Sequence, residues 1–192
     1  MPAKKSLAMF LSSILMLGST QLMAAPSAGM LADTCAGCHG TDGSSIGPAI
    51  PNIAGMSAEY FNTVMKEYAE DERASTIMGR IARGYTTEEI AAMADHFAKL
   101  SYKSTDQKLD AKKVAMGGDL YKKNCGKCHD ENGALADDDS GILASQWLPY
   151  LQYSMEDFQA DKRAMPKKMK KKVSKLSADE IEALLQFFAS QK

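Results

Sequence analysis

Apolar residues recur at helical spacing along Tyr60, Phe61, Val64, Met65 and Tyr68, and again along Ile90, Met93, Phe97 and Leu100. Both stripes return downstream, first as Tyr150, Leu151, Ser154, Met155 and Phe158, then as Ile181, Leu184, Leu185 and Phe188. The last stripe of each set opens on a capping box, Thr86 with Glu89 and Ser177 with Glu180, which marks a helix start. Short helical runs are expected through Met30-Leu31 and Leu120-Tyr121. No segment alternates convincingly with the two-residue period of a strand. The pattern predicts an all-α fold in which one small helical unit is built twice.

Sliding the chain over itself by 90 positions makes the repeat explicit. Ile53-Ala54-Gly55 falls on Leu143-Ala144-Ser145, Tyr60-Phe61 on Tyr150-Leu151, Met65 on Met155 and Tyr68 on Phe158. One extra residue then enters, so Tyr85-Thr86 meets Leu176-Ser177, and Phe97 meets Phe188, at a shift of 91. Polar residues from Ser101 to Lys113 read as a linker with the boundary near Ser104, giving units over 26–104 and 105–192. Units of roughly 80 residues bury too little surface to be comfortably stable without help.

The N-terminus has a different character. Lys4 and Lys5 precede the apolar run Leu7 to Leu17, and Ala24-Ala25 follow, the pattern of a secretory signal over residues 1–25 with cleavage near Ala24. About a dozen apolar residues fall short of the roughly 20 needed to cross a bilayer, and no later segment is apolar enough. The mature chain is therefore expected in the periplasm, exported and not membrane-spanning.

All four cysteines belong to two pentapeptides, Cys35-Ala36-Gly37-Cys38-His39 and Cys125-Gly126-Lys127-Cys128-His129. This spacing lets two thiols close thioethers on one porphyrin edge while the adjacent imidazole lies beneath the iron. Two covalent haem c groups follow, with His39 and His129 as proximal ligands. A zinc ribbon fits poorly, because 86 residues separate Cys38 from Cys125, where about 15–20 are usual. A thioredoxin-like pair leaves both histidines unexplained.

The repeat also selects the second axial ligands. Met78 precedes Tyr85 by seven residues and Met169 precedes Leu176 by seven, which places them 39 and 40 residues after their histidines. Met165 is the rival to Met169 if the extra residue lies elsewhere, and among 13 methionines most simply fill space. His96 falls opposite Phe187 and reads as an ordinary helix residue, while Trp147, the one tryptophan, reads as a packing residue. Gly47-Pro48 looks like a proline carbonyl support for the proximal imidazole; its repeat position is Asp138, in an acidic run, so the second loop differs. Histidine with methionine saturates iron and raises its potential relative to two histidines, which suits electron transfer. No catalytic residue is assigned, since dinucleotide fingerprints, nucleophile elbows and zinc motifs are missing from the sequence.

Charge is divided unevenly. Residues 26–104 hold 6 basic and 10 acidic side chains, and residues 105–192 hold 15 and 14. Lys167, Lys168, Lys170, Lys171, Lys172 and Lys175 surround Met169, either as a guide for an acidic redox partner or as a solvated face. An acidic exported chain is a poor candidate for nucleic-acid binding.

Beyond the haem pentapeptides, Ala74-Ser-Thr-Ile-Met-Gly-Arg-Ile-Ala82, Gln146-Trp-Leu-Pro-Tyr-Leu-Gln-Tyr153 and Met165-Pro-Lys-Lys-Met169 are more selective blocks. Through them nearly the whole mature chain resembles the dihaem cytochrome subunit of flavocytochrome c sulfide dehydrogenase. The resemblance implies a heterodimer with a separate flavoprotein subunit, which alone carries FAD and oxidises sulfide. This chain would accept the electrons and pass them to a soluble or membrane redox acceptor. The alternative is an autonomous dihaem carrier serving a terminal oxidase or reductase. Within the resemblance, the 75–82 loop with Arg80 and Arg83 favours the first unit as the docking side.

Overall fold

The computed structural model describes residues 25–192, and residues 1–24 of the expected signal segment lie outside them. The described chain is helical, with no strand among these residues. In the first half, α1 (Ala28–Asp33) and α2 (Ala36–His39) flank the first cysteine. They are followed by α3 (Ala58–Ala69), α4 (Met78–Ala82) and α5 (Thr87–Ala98). The second half has α6 (Ala111–Asn124), a single 3₁₀ turn at Glu131–Gly133, α7 (Leu148–Gln159), α8 (Lys167–Val173) and α9 (Ala178–Ser190).

Each half closes on its own core, as the two sets of stripes require. Phe61, Met65, Ile90, Met93 and Phe97 meet Leu31 and Ala32 in the first; Leu151, Ile181, Leu184, Leu185 and Phe188 meet Tyr121 in the second. Both capping boxes form as read, with Thr86 and Ser177 accepting from the amides of Glu89 and Glu180, whose carboxylates accept from the cap amides. The linker differs from its reading at one end. Asp110 accepts from the amides of Lys112 and Lys113, so these two lysines lie in the first turn of α6 rather than in a loop.

Backbone hydrogen bonds repeat along with the sequence. Ile53 and Ala54 donate to the Gly43 carbonyl as Leu143 and Ala144 donate to that of Gly133, and Gly55 donates to Phe97 as Ser145 donates to Phe188. Gly43 and Gly133 have φ of 75° and 85°, and a Cβ on either would lie 2.8 Å from Ala54 N or Phe188 Cδ1. The tight turn after each haem motif therefore depends on glycine. One helix contact has no equal in the first half. α6 crosses α9 so closely that a Cβ on Gly117 would sit 2.1 Å from the Ala183 carbonyl oxygen.

Candidate functional site

Each cysteine pair and its histidine share one helical turn. Cys38 and His39 donate to the Cys35 carbonyl at 3.2 and 2.9 Å, and Cys128 and His129 donate to that of Cys125 at 3.1 and 3.0 Å. In both motifs the first cysteine is half-buried against its core and the second is exposed, and all four thiols are free. Burial raises the Cys35 and Cys125 thiols, and the nearby Lys172 ammonium opposes that rise at Cys125. A disulfide-free pair with one buried and one accessible sulfur, followed at once by an imidazole, is a donor set that fits a covalently attached haem.

The two imidazoles have different surroundings. Burial pushes both below the ordinary histidine value, which favours the neutral form that ligates metal. His39 Nδ1 lies 2.9 Å from the Pro51 carbonyl oxygen, so a proton on Nδ1 is anchored there and Nε2 is left for iron. This corrects the reading of Gly47-Pro48, because the Pro48 carbonyl instead accepts from the amide of Tyr150 in the other half at 3.0 Å. His129 Nδ1 is buried with no hydrogen-bond partner among the described residues. The repeat position of Pro51 is Gly141.

Different tyrosines steady the two turns. The hydroxyls of Tyr85 and Thr34 are 2.5 Å apart beside Cys35. In the second half Tyr121 donates to the His129 carbonyl at 2.8 Å and accepts from Asn132 N at 2.9 Å, its ring stacked 5.0 Å from that of Phe187. His96, opposite Phe187 in the repeat, is half-buried with its ring edge-on to Phe97 at 5.5 Å.

Met78 is the first residue of α4 and packs half-buried against the first core. Met169 is the third residue of α8 and is also half-buried. Met165 lies in the preceding loop, in a cleft with Phe158, Val173 and Leu176. Equivalent backbone bonds bracket the extra residue: Arg73 to Glu67 and Arg163 to Asp157 match at a shift of 90, whereas Arg83 to Gly79 and Ser174 to Lys170 match at 91. On this register Met78 pairs with Met169.

The halves meet through polar contacts. Asn52 N donates to Gln146 Oε1 and Gln146 Nε2 donates to the Asn52 carbonyl, both at 2.9 Å and both buried. Trp147 Nε1 donates to the Ser45 carbonyl at 2.8 Å, so its role is to join the halves as well as to pack. Beside this lies a cluster the sequence reading passed over, although the repeat aligns its members. Arg73 stacks on Tyr68 at 5.3 Å and Arg163 on Phe158 at 4.0 Å, and Arg163 reaches the Tyr60 hydroxyl at 3.1 Å. Burial raises the phenol of Tyr150. It also acts to raise its counterpart Tyr60, but the charges of Arg163 and Arg73 prevail there and lower it.

Comparison with known proteins agrees with this construction. A family model described as cytochrome c matches residues 24–101, and one described as cytochrome c oxidase, cbb3-type, subunit III matches residues 112–188. The chain is 49% identical over 75 residues to the cytochrome subunit of sulfide dehydrogenase from Chlorobaculum tepidum, taking in 39% of this chain and 67% of that one. It is 28% identical over 163 residues to cytochrome c4 of Pseudomonas aeruginosa, across 80% of this chain and 81% of the other. The crystal structure of reduced cytochrome c4 from Pseudomonas stutzeri shares the fold at a TM-score of 0.75 and 21% identity, covering 86% of this chain and 97% of that one.

Proposed function

The chain belongs to the cytochrome c family as an electron carrier with two covalent haem c groups, on Cys35/Cys38 and Cys125/Cys128, and we propose that it accepts electrons from a sulfide-oxidising flavoprotein and relays them onward. The observation that carries this reading is the 49% identity to a sulfide dehydrogenase cytochrome subunit, stronger than any other similarity described above. Each haem supplies one-electron exchange between ferrous and ferric iron. Oxidation of sulfide to zero-valent sulfur releases two electrons, so a two-electron flavin can discharge fully into two such sites.

The residues serve that task as holders. His39 and Met78 are our assignment for the first iron, and His129 and Met169 for the second. Paired ligands of this kind leave no open position for sulfide, which is why the oxidation belongs on the flavoprotein. Arg80 and Arg83, both exposed on and after α4, are the proposed contact surface for that subunit. Among the described residues no helix is long and apolar enough to cross a membrane, and we place the mature chain in the periplasm.

Cytochrome c4 favours a second reading, because its similarity runs through both halves rather than one. In that reading the chain is an autonomous dihaem carrier. Purification of the native protein separates the two. We expect a flavin-bearing subunit to co-elute, with sulfide oxidation by the complex and little by this chain alone. Elution without flavin, or efficient sulfide turnover by the isolated chain, would overturn the first reading.

A further inference from the structure

α8 is unusually rich in lysine. Lys167, Lys168, Lys170, Lys171 and Lys172 occupy five of its seven positions, Lys175 follows, and all six are exposed. Lys167 and Lys171, Lys168 and Lys172, and Lys171 and Lys175 are like-charged neighbours four apart, each pair costing about 0.2–0.5 kcal/mol. The first turn holds no acid, whereas α5 and α9 begin with Glu88-Glu89 and Asp179-Glu180. Among the described residues a single ion pair relieves the cluster, Lys170 to Asp161 at 3.0 Å. Lys170, Lys171 and Lys172 lie in the last turn, where the helix dipole favours cations, but Lys167 and Lys168 in the first turn have no such support.

α8 sits beside the second attachment point: its Val173 and Cys125 pack against the same core, the Lys172 charge acts on the Cys125 thiol, and Lys127 lies inside the second haem motif, with Lys122 and Lys123 just before it. The repeat positions of these last three in the first half are Gly37, Ala32 and Asp33. Where α8 carries Lys168, Lys170 and Lys172 the first half has Ile77, 45% exposed, Gly79 and Ile81, and it keeps a basic residue only at Arg80, opposite Lys171. Lysines are thus denser around the second attachment point, even with Asp130 and Asp137 beside it, than around the first, where Arg80 and Arg83 are the basic side chains on and just after α4.

We propose that α8 and the Lys122–Lys127 segment form an exit surface that docks a transient acidic redox protein, one whose own redox centre is ringed by carboxylates. This deepens the proposed relay by assigning entry to the first half and exit to the second. One electron crosses per encounter, oxidising the second iron from ferrous to ferric and reducing the partner's one-electron centre, with no proton or group transferred. Complementary charge raises the encounter rate without a large buried interface, which suits a partner that must leave. A bilayer is the weaker occupant, because Met169 and Val173, the apolar side chains of α8, are half-buried and leave no apolar face to insert.

The test uses the intact dihaem protein, reduced and then mixed with small oxidants of opposite charge. Replacing Lys167, Lys168, Lys171 and Lys172 together by Gln is expected to slow one of two kinetic phases with hexacyanoferrate roughly tenfold or more at low salt. The same phase should hold or quicken with cobalt tris-phenanthroline, and the difference should fade as salt rises. An acidic plastocyanin, used as a probe, should follow hexacyanoferrate. Full haem content and an unchanged visible spectrum verify that the variant is folded, and Arg80→Gln with Arg83→Gln should leave that phase alone. Phases that are equal for both reagents, or that move only with the arginine variant, would overturn the proposal. So would lysine-dependent binding to vesicles of mixed phosphatidylcholine and phosphatidylglycerol with no change in hexacyanoferrate kinetics. Absence of a flavoprotein would defeat the relay reading while leaving these rates intact, so the two failures are distinct.

Discussion

His39 has its Nδ1 against the Pro51 carbonyl at 2.9 Å, while His129, carried on the same turn, has a buried Nδ1 with no partner among the described residues. Around both, the turn, the following glycine and the loop hydrogen bonds are retained almost bond for bond. What the halves share is what covalent attachment demands: two sulfurs and an imidazole on one helical turn, with a tight return. What they do not share are the groups that tune and present the site. Those differences are the second contact of the imidazole, the tyrosine that braces the turn, and the charge of the surface above the attachment point. A duplicated scaffold can diverge in its electrostatics while its chemistry is held fixed.

The strongest break of this comparison removes one haem at a time. Cys35→Ala with Cys38→Ala, and Cys125→Ala with Cys128→Ala, are each expected to halve the haem that survives acid-acetone extraction. Helicity should fall further for the first pair. α1 has six residues where its counterpart α6 has 14, so the first half depends more on the porphyrin for its core. Equal losses of circular dichroism would show that the halves are equally dependent.

Next in size are the axial positions. Met78→Ala and Met169→Ala should each remove half of the methionine–iron charge-transfer absorption and lower one midpoint potential, because the thioether that favours ferrous iron is lost. Met165→Ala should do neither. If Met165 and Met169 exchange behaviour, the second axial ligand does not follow the repeat, since Met165 lies 87 positions from Met78 rather than 91.

A glycine-to-alanine change offers a finer contrast, with opposite signs expected in the two halves. Gly117→Ala drives a Cβ into the Ala183 carbonyl and should destabilise by about 1–3 kcal/mol or more in a denaturant titration. Gly29→Ala, whose Cβ meets nothing nearer than His96 Cε1 at 4.0 Å, should stabilise by about 0.5 kcal/mol.

The smallest effect lies at high pH, in the linker. Burial raises the Tyr102 phenol from 10.0 to about 12, its hydroxyl donating to the Ala144 carbonyl at 2.6 Å. The folded state keeps that proton when the unfolded chain has lost it. Its contribution is therefore complete below pH 10 and disappears as pH rises through about 12. Tyr102→Phe should flatten the stability profile across that window, and an unchanged slope would assign the alkaline transition to other groups.

Much of this architecture is legible in the sequence because it is periodic or repeated. The Phe61–Met65 and Ile181–Leu185 stripes, both capping boxes and the two haem motifs depend on local spacing, and local spacing survives in one dimension. The choice of Pro51 over Pro48 does not. It depends on which carbonyl the folded loop turns toward His39, and Pro48 is taken by Tyr150 from the other half. Gln146 and Asn52 are likewise invisible as partners, since they join positions 94 residues apart and are not repeat equivalents. Arg73 and Arg163 did leave a trace, aligned at the same shift as the aromatic residues they stack on.

Asn52 gives both its amide and its carbonyl to Gln146, a side chain made 94 residues later. Its neighbours Ser45 and Pro48 find Trp147 and the Tyr150 amide in the same stretch. A ribosome adding about 5–20 residues per second needs roughly 5–20 s to synthesise that interval. The half that is made first is thus completed last: until the Gln146–Tyr150 segment arrives, the loop that ends at the Pro51 carbonyl is held only by bonds made within its own half, among them those from Ile53 and Ala54 to the Gly43 carbonyl and from the Ser45 amide to Asn52 Oδ1.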